Sequence, residues 1–164
     1  MQNNINKKAT EEVSFVGIWK VTIRDAKTND IKRVYTQKNI IPTVGRTLVM
    51  NNLTNSSPDN TMKINYTALG TGATAVSNAN TTLAAETYRK TTASSTNSSN
   101  IGYVSAFYTA TECDGTYYEA GLFSNATAST DSGILFSRVL LNAPTGIAKS
   151  NTETLTIDYT VTLS

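Results

Sequence analysis

The stretch Thr154-Leu155-Thr156-Ile157-Asp158-Tyr159-Thr160-Val161-Thr162-Leu163 decides the fold class. Leu155, Ile157, Tyr159, Val161 and Leu163 alternate without a break with Thr156, Asp158, Thr160 and Thr162. This is the two-residue period of a strand with one buried face and one wet face. On a helix the same apolar residues would be scattered around the whole circumference. Threonine on the wet side keeps the preference for a strand without adding apolar surface. A lone strand is unstable, so earlier parts of the chain must cover its apolar face and pair its edges.

Partners for it recur along the chain. In residues 13–24 Val13, Phe15, Trp19, Val21 and Ile23 form an apolar face that Gly17 interrupts; residues 25–30 are turn chemistry, and residues 31–38 return, so 13–38 reads as a hairpin. Pro42 takes the chain out of the sheet. Residues 44–53 place Leu48, Val49 and Leu53 at helical spacing, a short helix over one end of the sheets. Residues 54–61 read as a polar loop and residues 63–69 as a strand entering Gly70-Thr71-Gly72. Those glycines lack the frame and the lysine of a phosphate loop and read as a turn. Residues 73–81 read as a loop, and residues 83–92 fit a strand or a single helical turn. Residues 91–100, rich in Ser, Thr and Asn, read as an exposed loop. In residues 101–110 Ile101, Tyr103 and Phe107 fall on one side, Val104 and Tyr108 on the other, as in a strand covered on both faces. The turn around Asp114-Gly115 then predicts that residues 117–123 come back as its hairpin partner. Residues 125–133 read as a loop and residues 134–141 as a further strand. About eight strands with turn signals between them predict an all-β protein, an antiparallel β-sandwich of jelly-roll type with at most one short helix.

Composition narrows the function. The 164 residues suit one domain, divided into an N-terminal arm, residues 1–12, and a sandwich, residues 13–164. The arm is too polar to offset its own ordering entropy and reads as mobile. Only 16% of residues are charged, the net charge is +2, and no run of Lys or Arg exceeds Lys7-Lys8, which argues against nucleic acid as a partner. The N-terminus lacks the apolar core of a secretory signal, and no stretch approaches the roughly 20 apolar residues of a membrane span, so neither export nor a membrane is expected. The Asn-x-Ser/Thr sites at Asn52, Asn65, Asn80 and Asn125 follow from the abundance of those residues.

There is no histidine to activate a serine or cysteine, and Cys113 is the only cysteine, so nucleophilic catalysis, an internal disulfide and a metal or other cofactor are all unexpected. The neighbouring Asp114 disfavours a Cys113 thiolate. Carboxylate-pair hydrolysis is formally open through Glu86, Glu112, Asp114, Glu119 and Asp158. Each has a simpler role. Glu119 and Arg138 lie inside apolar strands and Glu86 is three residues from Arg89. A carboxylate between Tyr118 and Leu122 is costly unless paired, so Glu119 is expected to meet Arg138 or Arg89 in a structural ion pair.

The ordered set Tyr66-Thr67-Ala68-Leu69-Gly70-Thr71-Gly72, Thr82-Leu83-Ala84-Ala85-Glu86 with Arg89, Glu119-Ala120-Gly121-Leu122-Phe123, Leu135-Phe136-Ser137-Arg138 and the Pro144/Lys149 loop resembles a group of tailed-bacteriophage virion proteins described as head-decoration, tail or fibre-associated. The resemblance spans most of the chain from about Trp19 onward. It implies a non-enzymatic structural component of the virion, assembled in the host cytoplasm, working as a β-sandwich in many copies. On that footing the first expectation is a capsid decoration protein. It would be a homo-oligomer, favoured as a trimer, that contacts the major capsid protein or other virion proteins through Ile5, Lys7, Lys8 and the first strand. The second is a tail, collar or fibre-associated module that recognises a host glycan through residues 73–81, 91–100 or 125–133.

Overall fold

The computed structural model describes residues 13–54 and 63–164. In chain order they form β1 (Phe15–Asp25), β2 (Ile31–Lys38), α1 (Thr43–Thr54), β3 (Ile64–Gly70), β4 (Glu86–Thr91), β5 (Ser94–Ser98), β6 (Ile101–Tyr108), β7 (Gly115–Tyr117), β8 (Glu119–Ser124), β9 (Ile134–Leu140), β10 (Ile147–Lys149) and β11 (Glu153–Leu163). The protein is all-β with a single short helix, and its sheets are antiparallel.

The alternating strand β11 sits at the centre of a five-stranded sheet ordered β2-β1-β11-β6-β5. It pairs with β1 from Phe15↔Leu163 to Asp25↔Glu153 and with β6 from Leu155↔Tyr108 to Thr162↔Ile101. The β1–β2 hairpin closes as its composition predicts. The Asp25 carboxylate accepts from the backbone N–H of Lys27 at 2.9 Å and Thr28 at 3.1 Å, and Asn29 takes the left-handed conformation. A second sheet is ordered β4-β3-β8-β9, and the short pair β10-β7 stands apart from both.

One core lies between the inner faces. Trp19, Val21 and Ile23 of β1, Leu155, Ile157 and Tyr159 of β11 and Val104, Ala106 and Tyr108 of β6 meet Leu69, Ala120, Leu122, Phe136 and Val139 of the second sheet. Hydrogen bonds cross this core: Trp19 Nε1 donates to Ser137 Oγ at 3.0 Å, and the Thr67 and Tyr108 hydroxyls meet at 2.6 Å. Each satisfies a polar atom that burial would otherwise penalise. The outer face of the four-stranded sheet is covered as well. A second cluster of Ala68, Leu83, Phe123, Ala126 and Leu135 forms there, with Val44 of α1 packed against it. The helix approaches β9 closely because residue 45 is glycine: a Cβ there would lie 2.6 Å from the Phe136 carbonyl oxygen.

Several expectations are corrected. Residues 94–98 are not loop but the edge strand β5, paired with β6 from Ser94↔Ser105 to Ser98↔Ile101. Their Ser/Thr/Asn composition suits an edge that presents one open backbone row to water. Residues 117–123 do not return beside residues 101–110: β7 pairs with β10, and β8 pairs with β3 and β9 in the other sheet. The segment after β6 therefore crosses between layers rather than turning back. Strand β6 is covered on one face only, with Tyr103 and Phe107 exposed. The described strands number eleven rather than about eight; of the two readings left open for residues 83–92, the strand is the one found, over residues 86–91.

Candidate functional site

Among the described residues charged side chains pair in four groups, and two of them lie on the outer face of the four-stranded sheet; the fourth, in which Glu153 of β11 meets Lys32 and Arg33 of β2, sits at the end of the five-stranded sheet. Gly70↔Glu119 and Gly121↔Arg138 set Glu119 and Arg138 on the same side of that sheet. Arg138 Nε donates to Glu119 Oε2 at 2.8 Å, and both residues are fully buried. The rest of their bonding capacity is used by the segment between β3 and β4. Glu119 accepts from the N–H groups of Ala84 at 3.0 Å and Ala85 at 2.8 Å, while Arg138 donates to the carbonyls of Thr74 at 3.0 Å and Ala75 at 3.3 Å and to Asn80 Oδ1 at 2.9 Å. The pair thus works as a polar post on which residues 71–85 are fastened. A Cβ at Gly70 or Gly72 would fall 2.7 Å or 2.4 Å from Glu119 Oε1, so the glycines read from sequence as a turn also make room for this carboxylate.

Glu86 and Arg89 form the second post. Arg89 Nε and Nη2 donate to Glu86 Oε1 and Oε2 at 2.6 and 2.8 Å, a bidentate pair with both side chains buried. The remaining nitrogen reaches the carbonyls of Thr127 and Ser132, each at 3.0 Å, and so ties residues 125–133 to the sheet edge. The guanidinium also stacks 4.6 Å from the Phe123 ring centroid. The alternative pairing of Glu119 with Arg89 does not occur; Arg138 is its partner.

The third group lines the rim between the two sheets. Lys90 on β4 reaches both oxygens of Glu112, at 2.7 and 2.6 Å, and Lys149 on β10 reaches Asp114 at 2.9 Å and the Ala110 carbonyl at 3.0 Å. The Lys90 ammonium and the N–H of Thr109 hold the Glu112 carboxyl down to about 2. Burial pushes the Cys113 thiol up to about 12, which leaves it without thiolate character. Beside them opens a groove of about 380 Å³ lined by Thr71, Thr87, Tyr88, Asp114, Thr116 and Tyr117 among others.

The outer face of the five-stranded sheet carries no covering element among the described residues. Strand register places its side chains in rows: Lys38, Ile18, Thr160 and Tyr103; Thr36, Lys20, Asp158 and Ser105; Val34, Thr22, Thr156 and Phe107. A further row holds Val16, Thr162 and Ile101. Val16, Val34, Tyr103 and Phe107 are each 42–46% exposed. A column of threonines on β11 therefore runs between two stripes that are partly apolar. Lys20 and Asp158 are both exposed and, although adjacent in register, form no ion pair among the described residues.

Sequence reasoning found the Glu119–Arg138 pair because a charged residue inside an apolar strand signals itself, and the Glu86–Arg89 pair from its three-residue spacing. It missed the exposed face, because Tyr103 and Phe107 read as core residues. Ile5, Lys7 and Lys8, expected in a partner-binding arm, lie outside the described residues. No family model, curated protein or solved structure matches this chain.

Proposed function

We propose that this protein is a non-enzymatic structural component of a tailed-phage virion. Within that reading it is a capsid decoration protein that binds the assembled shell as a homo-oligomer. The observation that carries the proposal is the uncovered face of the five-stranded sheet, where aromatic and aliphatic side chains stand in water beside threonines. Surfaces of this kind are used for protein contacts. The ionisable residues support a non-catalytic role: Glu86, Glu112 and Glu119 are each committed to a cation or to backbone N–H groups that fasten a segment in place. A subunit that binds only the assembled lattice stabilises it by mass action. The jelly-roll form of the sandwich belongs to the same proposal. Its support is the long-range return of β11 to lie between β1 and β6. The test is an inventory by mass spectrometry and immunogold labelling of purified particles of the phage that encodes the chain. Labelling over the head is the expected result, and absence from particles that leave cells rich in the protein overturns the proposal.

One observation favours a second reading, a tail, collar or fibre-associated module in contact with a host-surface glycan. The groove beside Tyr88 offers an aromatic ring, hydroxyls and the Asp114 carboxylate together, the side-chain chemistry that sugars use. It is not among the segments first expected to do this, since residues 94–98 are strand and residues 73–81 and 125–133 are fastened to the sheet. Glycan-array binding that is lost in Tyr88→Ala supports this reading, and label confined to heads removes it.

A further inference from the structure

We propose that two copies of this chain meet through the outer faces of their five-stranded sheets, about a two-fold axis that runs along the strands between β1 and β11. This rests on the oligomeric reading above and names the surface that makes the oligomer.

The register contains the complementarity. A two-fold axis between β1 and β11 keeps each row at its own level and exchanges the strands across it, so β1 lies over β11 of the second copy and β2 lies over β6 of the second copy. In the central row Lys20 then faces Asp158 of the second copy, and Asp158 faces its Lys20, which supplies a partner to each of two exposed charges left unpaired within one copy. In the next row Val34 faces Phe107 of the second copy. On the other side Lys38 lies over the Tyr103 ring of the second copy, a cation above an aromatic face. In the central row Thr36 also faces Ser105 of the second copy. Every row pairs with itself without setting like charges together, which is what an isologous contact requires.

Size and shape agree. Strands about 4.8 Å apart with a rise of about 3.4 Å per residue make the patch formed by β2, β1, β11 and β6 roughly 20 Å by 30 Å. With side-chain relief this approaches the roughly 800 Å² per partner of a stable interface. The face is four strands broad, so a second sheet covers more of it than a helix or an extended peptide would. Aligned sheets cross at about 30°, and rows near the axis keep their registration best. Lys20 and Asp158 occupy that position.

The decisive experiment exchanges the charges on separate molecules. Analytical ultracentrifugation of the wild-type chain at tens of micromolar should give twice the 17.6 kDa chain mass. Lys20→Glu sets a carboxylate against Asp158 of the second copy, and Asp158→Lys sets lysine against lysine, so each variant alone should self-associate at least about tenfold more weakly. Mixed in equal amounts, the two variants should form a heterodimer, seen by native mass spectrometry, because the carboxylate introduced at position 20 of one chain faces the lysine introduced at position 158 of the other, and the native Asp158 of the first faces the native Lys20 of the second; the double variant carrying both changes in one chain restores opposite signs at every facing pair and should regain the wild-type dimer. Phe107→Ser should weaken the pairing without altering charge. All three positions are exposed, and an unchanged circular dichroism spectrum checks that each variant folds. A monomeric wild type, a trimer indifferent to these substitutions, or a double variant no more associated than the single ones would overturn the proposal. Because no particle is involved, a monomer that still labels phage heads overturns the two-fold contact alone. A dimer absent from particles overturns the virion reading alone.

Discussion

In the five-stranded sheet the inner residues Trp19, Val21 and Ile23 alternate with Val16, Ile18 and Lys20 on an uncovered side, whereas in the four-stranded sheet all six residues of β8 are buried. Lys20 and Asp158 on the open side of the first sheet stand in water, where a charge costs little, and the buried Glu153 at the start of β11 is paired with Arg33. Glu86, Arg89, Glu119 and Arg138 of the second have buried side chains, and an unpaired charge there would cost several kcal/mol. Glu119 and Arg138 meet that demand with each other and with six protein groups from the segment between β3 and β4. Glu86 and Arg89 do the same for residues 125–133. Ion pairs in the covered sheet therefore organise long connections, and the open sheet is left free for partners.

The sharpest way to break this contrast is to remove one member of the buried pair. Arg138→Met leaves Glu119 without a cation and should cost about 3–5 kcal/mol in urea unfolding. It should also release residues 71–85 to hydrogen exchange. A loss below about 1 kcal/mol would mean that the post is not what holds them. An intermediate effect is expected at the seam between the sheets, where Lys90 holds Glu112. The folded carboxyl titrates at about 2 against an ordinary 4.5. Its stabilisation is complete above about pH 4.5 and is lost as pH falls through about 2. Glu112→Gln should therefore cost about 1–2 kcal/mol at neutral pH. The gap to wild type should close as pH falls through that window, read from urea midpoints at a series of pH values. The smallest effect belongs to the open face: Phe107→Ser or Thr160→Ser should change the stability of the isolated chain by no more than about 0.5 kcal/mol, measured where the chain is monomeric. A cost above about 2 kcal/mol at Phe107 would show that this face is part of the core.

What was legible in advance follows the same division. Strand β11 and the β1–β2 hairpin could be read because one wet face imposes a period of two. Strand β8 could be found but not placed, since a strand buried on both sides has no polar face to orient it. Strand β5 was hidden by its composition: Ser-Ser-Thr-Asn-Ser reads as loop until β6 is seen beside it. The buried pairs were legible as a need, because Glu119 and Arg138 are out of place in apolar strands. That Arg138 rather than Arg89 answers Glu119 was not.

The amino-acid sequence by itself determined that this chain is all-β, where its most regular strands run, and which charged residues must be satisfied inside it. These are local properties, set by side-chain period and by the cost of burying charge. Only the tertiary structure decided that β8 joins β3 and β9 instead of turning back on β6, that β11 lies between β1 and β6, and that Tyr103 and Phe107 face outward. The physical reason is that backbone hydrogen bonding is the same for every strand: a side-chain pattern says which face is buried, and the packing of the whole chain selects the neighbour.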